Sequence, residues 1–157
     1  MTSRVTTHLP DALLSLLREG CPALLLTLGT DGFPATAFTW TVALNPATLR
    51  FGADLGTATL ANLERERRAS LQIIGEGNLV FLIKGTARQV KPRMDAAPMK
   101  IALMQLEAQE VKDQSWPGVS LRPLGYEWAV EQREQMLAME RAVYAEMRSS
   151  VDRDTVS

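Results

Sequence analysis

The chain alternates short apolar runs with turn residues, and those runs set out its plan. Ala23 to Leu28 reads as a strand, Thr30-Asp31-Gly32-Phe33-Pro34 as a turn, and Ala35 to Leu44, carrying Phe38 to Thr41 at its middle, as a second strand. Two β-type runs joined through Asp-Gly predict a hairpin, because Asp-Gly accepts the positive φ of a tight turn. Asn45-Pro46 leads into a third strand at about 48–53, where Leu49 and Phe51 alternate with Arg50. The run GTATLANL then opens a helix at 58–66, with Leu60 and Leu63 inward and Glu64, Arg65 and Glu66 outward. A strand that feeds a helix N-terminus through small and hydroxyl residues has the makings of a phosphate cradle. Alternation resumes from Ala69 to Ile74, turns at Glu76-Gly77-Asn78, and continues as a long strand from Leu79 to Val90.

Both ends of the chain read as helical. Pro10 to Arg18 is rich in helix formers and is stopped by Gly20 and Pro22, which predicts a helix acting as a lid or plug. Residues 92–98 read as an irregular crossing and Met99 to Lys112 as a last strand, although Met99 to Glu110 also suits a helix by propensity. Loops follow at Ser115-Gly118 and Arg122-Gly125, then a helix from Tyr126 to Met147. On that helix Met136, Val143 and Met147 share a face with Met139 beside them, while Arg133, Glu134, Arg141 and Glu146 suit solvent. It is expected to dock on the strands of its own chain or of a partner. The segment Ser149 to Ser157 reads as a polar, frayed tail.

Composition narrows the function. A chain of 157 residues suffices for one core, so a single domain over 1–157 is expected. A net charge of −1 with interspersed signs argues against nucleic-acid binding, which calls for a basic face. Cys21 is the one cysteine, Met1 to Pro10 lacks an apolar leader core, and no apolar run is long enough to span a bilayer. A cytoplasmic protein without a membrane partner is the expectation. The single histidine, His8, gives little support to a nucleophile–base pair, and neither CxxC nor HExxH occurs, so no metal site is expected. No GxGxxG follows a strand, so redox chemistry would have to come from another bound cofactor acting on a small-molecule substrate.

The order LL…CPALLLTLGTDGFPATAFTW…LRFGAD…GTATLANLERERRASLQII…VFLIKGTARQV resembles the pyridoxamine 5′-phosphate oxidase-like FMN-binding split barrels over about residues 9–112. The resemblance implies a mainly β (α+β) fold: a six-stranded antiparallel split barrel over about 9–112, flanking helices, and a C-terminal loop and helix over about 113–149. It also implies a homodimer with FMN between the subunits and oxidoreductase activity. The residues expected to form the apolar dimer face are those around Trp40, Phe51 and the Met-rich helix.

Carried onto this sequence, the flavin ring would lie against Phe38, Thr39, Trp40 and Thr41, while Ala53, Asp54, Thr57, Thr59 and Asn62 would face the ribityl chain and phosphate. Trp40 is equally suited to the core, and Thr57 to capping the helix at 58–66. No catalytic residue can be assigned. The chain departs from the family pattern at Thr59, three places before the Asn62-Leu63 pair, where a basic residue is usual. Losing a charge-assisted phosphate contact costs on the order of 1.5–3 kcal/mol. Arg50, Lys84 or Arg88 are possible substitutes, each more simply a solvated strand residue. Two readings stand: an FMN-dependent oxidoreductase, or an FMN-free barrel serving as a binding or stress-response protein for another ligand such as a deazaflavin or haem.

Overall fold

A computed structural model describes residues 4–152. The elements run β1 (Val5–Thr6), α1 (Asp11–Glu19), β2 (Cys21–Leu28), β3 (Pro34–Asn45), β4 (Thr48–Asp54), α2 (Ala58–Glu66), β5 (Arg68–Ile74), β6 (Val80–Lys91), β7 (Ile101–Asp113) and α3 (Arg133–Ser149). Strands β7-β4-β3-β2-β5-β6 pair antiparallel in that order, and β6 pairs back onto β7 to close a six-stranded barrel. The short β1, which the sequence pattern does not announce, adds to β7 through Val5 and Thr6.

The hairpins form where the turn chemistry places them. Gly32 takes φ 84° in the β2–β3 turn, and Asp31 Oδ1 accepts from the Phe33 N–H at 3.0 Å. The β2–β3 register sets Leu24 opposite Phe38 and Cys21 opposite Thr41. The ambiguous segment resolves as strand: β7 is hydrogen-bonded on one side to β4 and on the other to β6. Its first six residues, Ile101 to Leu106, are all buried, because one face meets the barrel core and the other a covering helix. Consecutive apolar residues there reflect burial on both faces and outweigh helix propensity. Where β6 crosses β7, a Cβ on Gly85 would stand 2.1 Å from the Glu107 carbonyl oxygen, so that position accepts no side chain.

Two clusters hold the fold together. The larger gathers inward residues such as Leu25, Leu49, Phe51, Leu71, Ile83 and Leu106, and α1 closes it with Leu13, Leu14 and Leu17, as a plug. Each such fully buried side chain contributes about 1.5–3 kcal/mol. The smaller lies on the outer face of β3, β4 and β7, where Trp40, Val42, Ile101 and Leu103 pack under Val143 and Met147 of α3. Thus α3 docks on its own chain.

Several expectations at the C-terminus change. Residues 126–132 are not part of an α-helix: Tyr126 to Ala129 run without regular structure into one 3₁₀ turn at Val130–Gln132. Glu146 does not face solvent. Its carboxylate accepts from Lys91 Nζ at 2.8 Å and from the Asp95 and Ala96 N–H groups at 2.9 and 2.7 Å, tying α3 to the loop after β6. The chain past Ser149 is anchored as far as Asp152, which is buried and paired with Arg88. The tail expected at 153–157 and the first three residues of the polar leader lie outside the described residues. Among the described residues, no helix is long and apolar enough to cross a membrane.

Candidate functional site

The strand register itself makes a cleft. Strands β3 and β4 pair from Asn45–Thr48 to Thr41–Phe51 and then diverge, β3 continuing along β2 and β4 along β7. Where they part, Thr39 Oγ1 donates to the Gly52 carbonyl at 2.7 Å and accepts from the Gly52 N–H at 3.0 Å, replacing the lost ladder bonds. Past this side-chain bridge lies a cavity of about 410 Å³, lined by Pro22, Phe38, Thr39, Trp40, Gly52, Asp54, Met99, Ile101, Tyr126, Glu127 and Trp128.

The C-terminal segment forms one wall and is held by a polar chain. Trp40 Nε1 donates to the Tyr126 hydroxyl, which donates to Glu140 Oε1 on α3. Trp128 Nε1 donates to the same oxygen at 2.8 Å. The Tyr126 and Trp128 rings meet edge to face at 5.3 Å, and Trp40 meets Tyr144 in the same manner at 6.4 Å. Burial, reinforced by Glu140, raises the Tyr126 pKa well above the usual phenol range, so this hydroxyl remains a neutral donor at physiological pH. Residues 126–128 also border a second, shallower groove of about 590 Å³ that reaches Arg133, Glu140 and Tyr144.

Of the nine residues expected from the sequence, Phe38, Thr39, Trp40 and Asp54 come together on the cleft. Trp40 is buried in the outer cluster and also lines the cavity. Thr41 is fully buried with its hydroxyl donating to the Arg50 carbonyl at 2.9 Å, and Ala53 lies in the barrel core. Thr57 caps α2: its Oγ1 accepts from the Leu60 N–H at 3.4 Å and donates to the Asp54 carbonyl at 2.7 Å. Thr59 is half-buried in the first helical turn. Asn62 is buried and joins α2 to β2, its Nδ2 donating to Thr27 Oγ1 at 3.1 Å.

Neither Arg50 nor Arg88 is a solvated strand residue. Arg50, 4% exposed, lies beneath the end of α3, where Nη1 donates to the Met147 and Ser150 carbonyls at 2.9 and 2.5 Å and Nε to Gln105 Oε1 at 3.1 Å. Arg88 is half-buried on Asp152. Lys84 is exposed and paired with Glu110 at 3.1 Å. None of the three lines the cleft. Cys21 is a free thiol whose pKa burial pushes up to about 12, which makes it a poor nucleophile. His8 is exposed beside Thr7. Among the described residues no three His, Cys, Asp or Glu side chains gather as a metal-holding group.

The expected apolar face is also revised. Phe51 is inside the barrel, and Trp40 and the α3 residues Met139 and Met147 belong to one covered cluster. Exposed apolar side chains include Leu28, Phe33 and Phe38 on the β2–β3 hairpin, 40%, 70% and 69% exposed, and others stand apart from it at Trp116, Val130 and Val151. Sequence reasoning missed Tyr126 and Trp128 because their stretch was assigned to a helix, and Glu140, correctly placed on α3, because its partners lie in that stretch. The Gly125-Tyr-Glu-Trp run after a Pro- and Gly-bearing loop is the signal that marks them.

The closed barrel that opens at one seam defines the class: a split barrel with an aromatic cleft at the split. A sequence model described as pyridoxamine 5′-phosphate oxidase matches residues 9–122, well over half the chain. The chain belongs to that family, which is a flavin-type oxidoreductase family. Solved structures with the same fold include an F420 reductase, at TM-score 0.57 and 14% identity over 68% of this chain and 100% of that one. They also include candidate pyridoxamine 5′-phosphate oxidases from Lactobacillus delbrueckii (0.55, 17%, 68% and 94%) and Listeria innocua (0.53, 13%, 66% and 96%). At these identities the likeness is one of fold. No curated protein matches the chain.

Proposed function

We propose that this protein is a flavin-type redox protein that holds a planar isoalloxazine-like ring in the cleft at the split and presents it to a small-molecule substrate. The observation that carries the reading is the cleft: a mostly apolar cavity lined by Phe38, Trp40, Ile101 and Trp128, opened where β3 and β4 part and leave backbone groups on their facing edges without a strand across. Apolar walls with a few convergent polar groups are what a ring-shaped cofactor requires.

The two ends of FMN fit this chain unequally. The ring end finds its slot. The phosphate end does not find a cation, since the charged residues lining the cleft are Asp54 and Glu127, and position 59 is Thr. The N-terminus of α2 offers N–H groups but uses Thr57 as its own cap. The reading is therefore of a site that recognises the ring, whether flavin or deazaflavin, and not specifically the phosphate of FMN. Haem is disfavoured, because His8 and Cys21 lie outside the cleft and the Tyr126 hydroxyl is already bonded to Trp40 and Glu140, which leaves the weak thioether of Met99.

We further propose that the whole chain acts as one domain in a homodimer. The exposed apolar residues on the β2–β3 hairpin support this, and Phe38 belongs both to that surface and to the cleft. Within the site, this chain's own groups bind and orient. Trp40 and Phe38 supply ring contact, Thr39 fixes the backbone at the split, and Tyr126, held neutral by burial and then by its bond to Glu140, supports the wall. When bound, a flavin-type ring supplies the capacity to accept and donate hydride. The visible spectrum of the freshly purified protein tests the reading, with any chromophore identified after denaturation. Flavin or deazaflavin absorption is expected; a colourless protein that takes up neither on incubation refutes the proposal.

A further inference from the structure

Resting on the ring-binding reading, we infer that the cleft selects planar rings by charge, favouring a cationic nitrogen heteroaromatic and disfavouring a phosphorylated one. The walls are rich in aromatic side chains: Phe38, Trp40, Tyr126 and Trp128. Trp40 and Trp128 spend their indole N–H groups on Tyr126 and Glu140, which leaves their ring surfaces as what they offer to a ligand. Aromatic faces attract cations through their quadrupole, Trp most strongly.

The charged side chains agree with the walls. Asp54 and Glu127 are the ionic residues lining the cavity, and among the described residues neither takes part in an ion pair. Behind the wall a third carboxylate, Glu140, accepts from both Tyr126 and Trp128, adding electron density to the rings that donate to it. Among the described residues no cation lines the cavity: Arg50 lies under α3, Lys84 pairs with Glu110, Arg88 with Asp152, and Lys91 with Asp95 and Glu146, while Lys100, between the lining residues Met99 and Ile101, and Arg133, on the adjoining groove, stay off its walls. A phosphate dianion in this cavity meets like charge, whereas a protonated or quaternised ring meets two carboxylates and four aromatic side chains.

Three tricyclic probes separate the charge effect from ring binding: riboflavin, FMN, and proflavine, a cationic aminoacridine, each titrated by fluorescence at low and at physiological salt. Proflavine is expected to bind about tenfold more tightly than riboflavin, and FMN no more tightly than riboflavin, with the proflavine advantage shrinking as salt rises. In the double variant Asp54→Asn/Glu127→Gln, two exposed positions, the advantage should fall to within about threefold while riboflavin affinity is kept. Phe38→Ala should weaken all three, and proflavine binding that ignores this change would be binding elsewhere and would overturn the inference. FMN binding more tightly than riboflavin, or a charge order unmoved in the double variant, overturns the inference and leaves the ring reading standing. Failure of all three probes to bind overturns the ring reading, and this inference with it.

Discussion

Arg50 is the residue on which the covering helix most depends. Its guanidinium makes three hydrogen bonds beneath α3, two of them to carbonyls at the helix end, where a cation also meets the negative end of the helix dipole. Burial, and secondarily the nearby Arg88, lower its pKa, yet arginine's high intrinsic value keeps it charged. In Arg50→Met the methylenes stay but three acceptors lose a charged donor. Two of those acceptors are backbone carbonyls that no second substitution can remove, so the usual relief from replacing a buried polar group with an apolar one is not open here. Hydrogen bonds to charged groups are worth about 1.5–3 kcal/mol each, and part of that is returned because the guanidinium need no longer be desolvated; a net loss of about 3 kcal/mol is expected. For a chain of this length that lowers Tm by roughly 6–12 °C. Arg50→Lys should recover only part, since one ammonium cannot reach Gln105 and both carbonyls together. Urea unfolding followed by circular dichroism gives the free energy, and amide exchange along Val143 to Met147 reports whether α3 has loosened. An Arg50→Met protein within about 0.5 kcal/mol of the parent, with α3 protection unchanged, would refute the clamp.

Three further outcomes follow from the same coordinates. Sedimentation at micromolar concentration should show a dimer, and Leu28→Glu with Phe33→Glu on the exposed hairpin should shift it to monomer; a parent that sediments as monomer removes the inter-subunit arrangement. Thr59→Lys should tighten FMN by roughly tenfold while leaving riboflavin nearly unchanged, and equal effects on both ligands would mean that the start of α2 is no phosphate site. Glu146 is opposed by burial, but hydrogen bonds from Lys91 and the Asp95 and Ala96 N–H groups outweigh it and hold its pKa below the usual carboxylate value. Its contribution is then present at neutral pH and lost as pH falls through that depressed pKa, so Glu146→Gln should lower stability at pH 7 by about 1–3 kcal/mol and flatten the acid limb, whereas a parallel acid limb in the two proteins would contradict this.

How much of this could be read in the sequence depends on whether local chemistry or distant packing decides each element. The β2–β3 turn and α2 lie where they were expected, because Asp31-Gly32 and the Thr57 cap fix them locally. The last strand was ambiguous because Ile101 to Asp113 carries helix-favouring residues, and only its two strand neighbours settle it. Alternation placed Arg50 on the outer face of β4 correctly, but alternation gives side and not depth, so the helix lying over that face was invisible. The same cover turns Glu146 inward. Phe38, Thr39, Trp40 and Asp54 come to one cleft because a short stretch of β3 and the end of β4 flank the split, a proximity that the order of the strands already suggested. The Tyr126–Trp128 wall was not, because its conformation rests on bonds to Trp40 and Glu140 far along the chain.

The central claim, that the cleft at the split binds a flavin-type ring, is tested most directly by titrating riboflavin against the parent chain and against Phe38→Ala. Phe38 is 69% exposed and outside both core clusters, so its removal should change stability by no more than about 0.5 kcal/mol, and any loss of binding reports the cleft itself. The account predicts one ring bound per chain, quenching of tryptophan fluorescence, and affinity about tenfold weaker in the variant, the loss of one stacking face. Saturable binding that Phe38→Ala leaves untouched, or no binding to the parent, would contradict it.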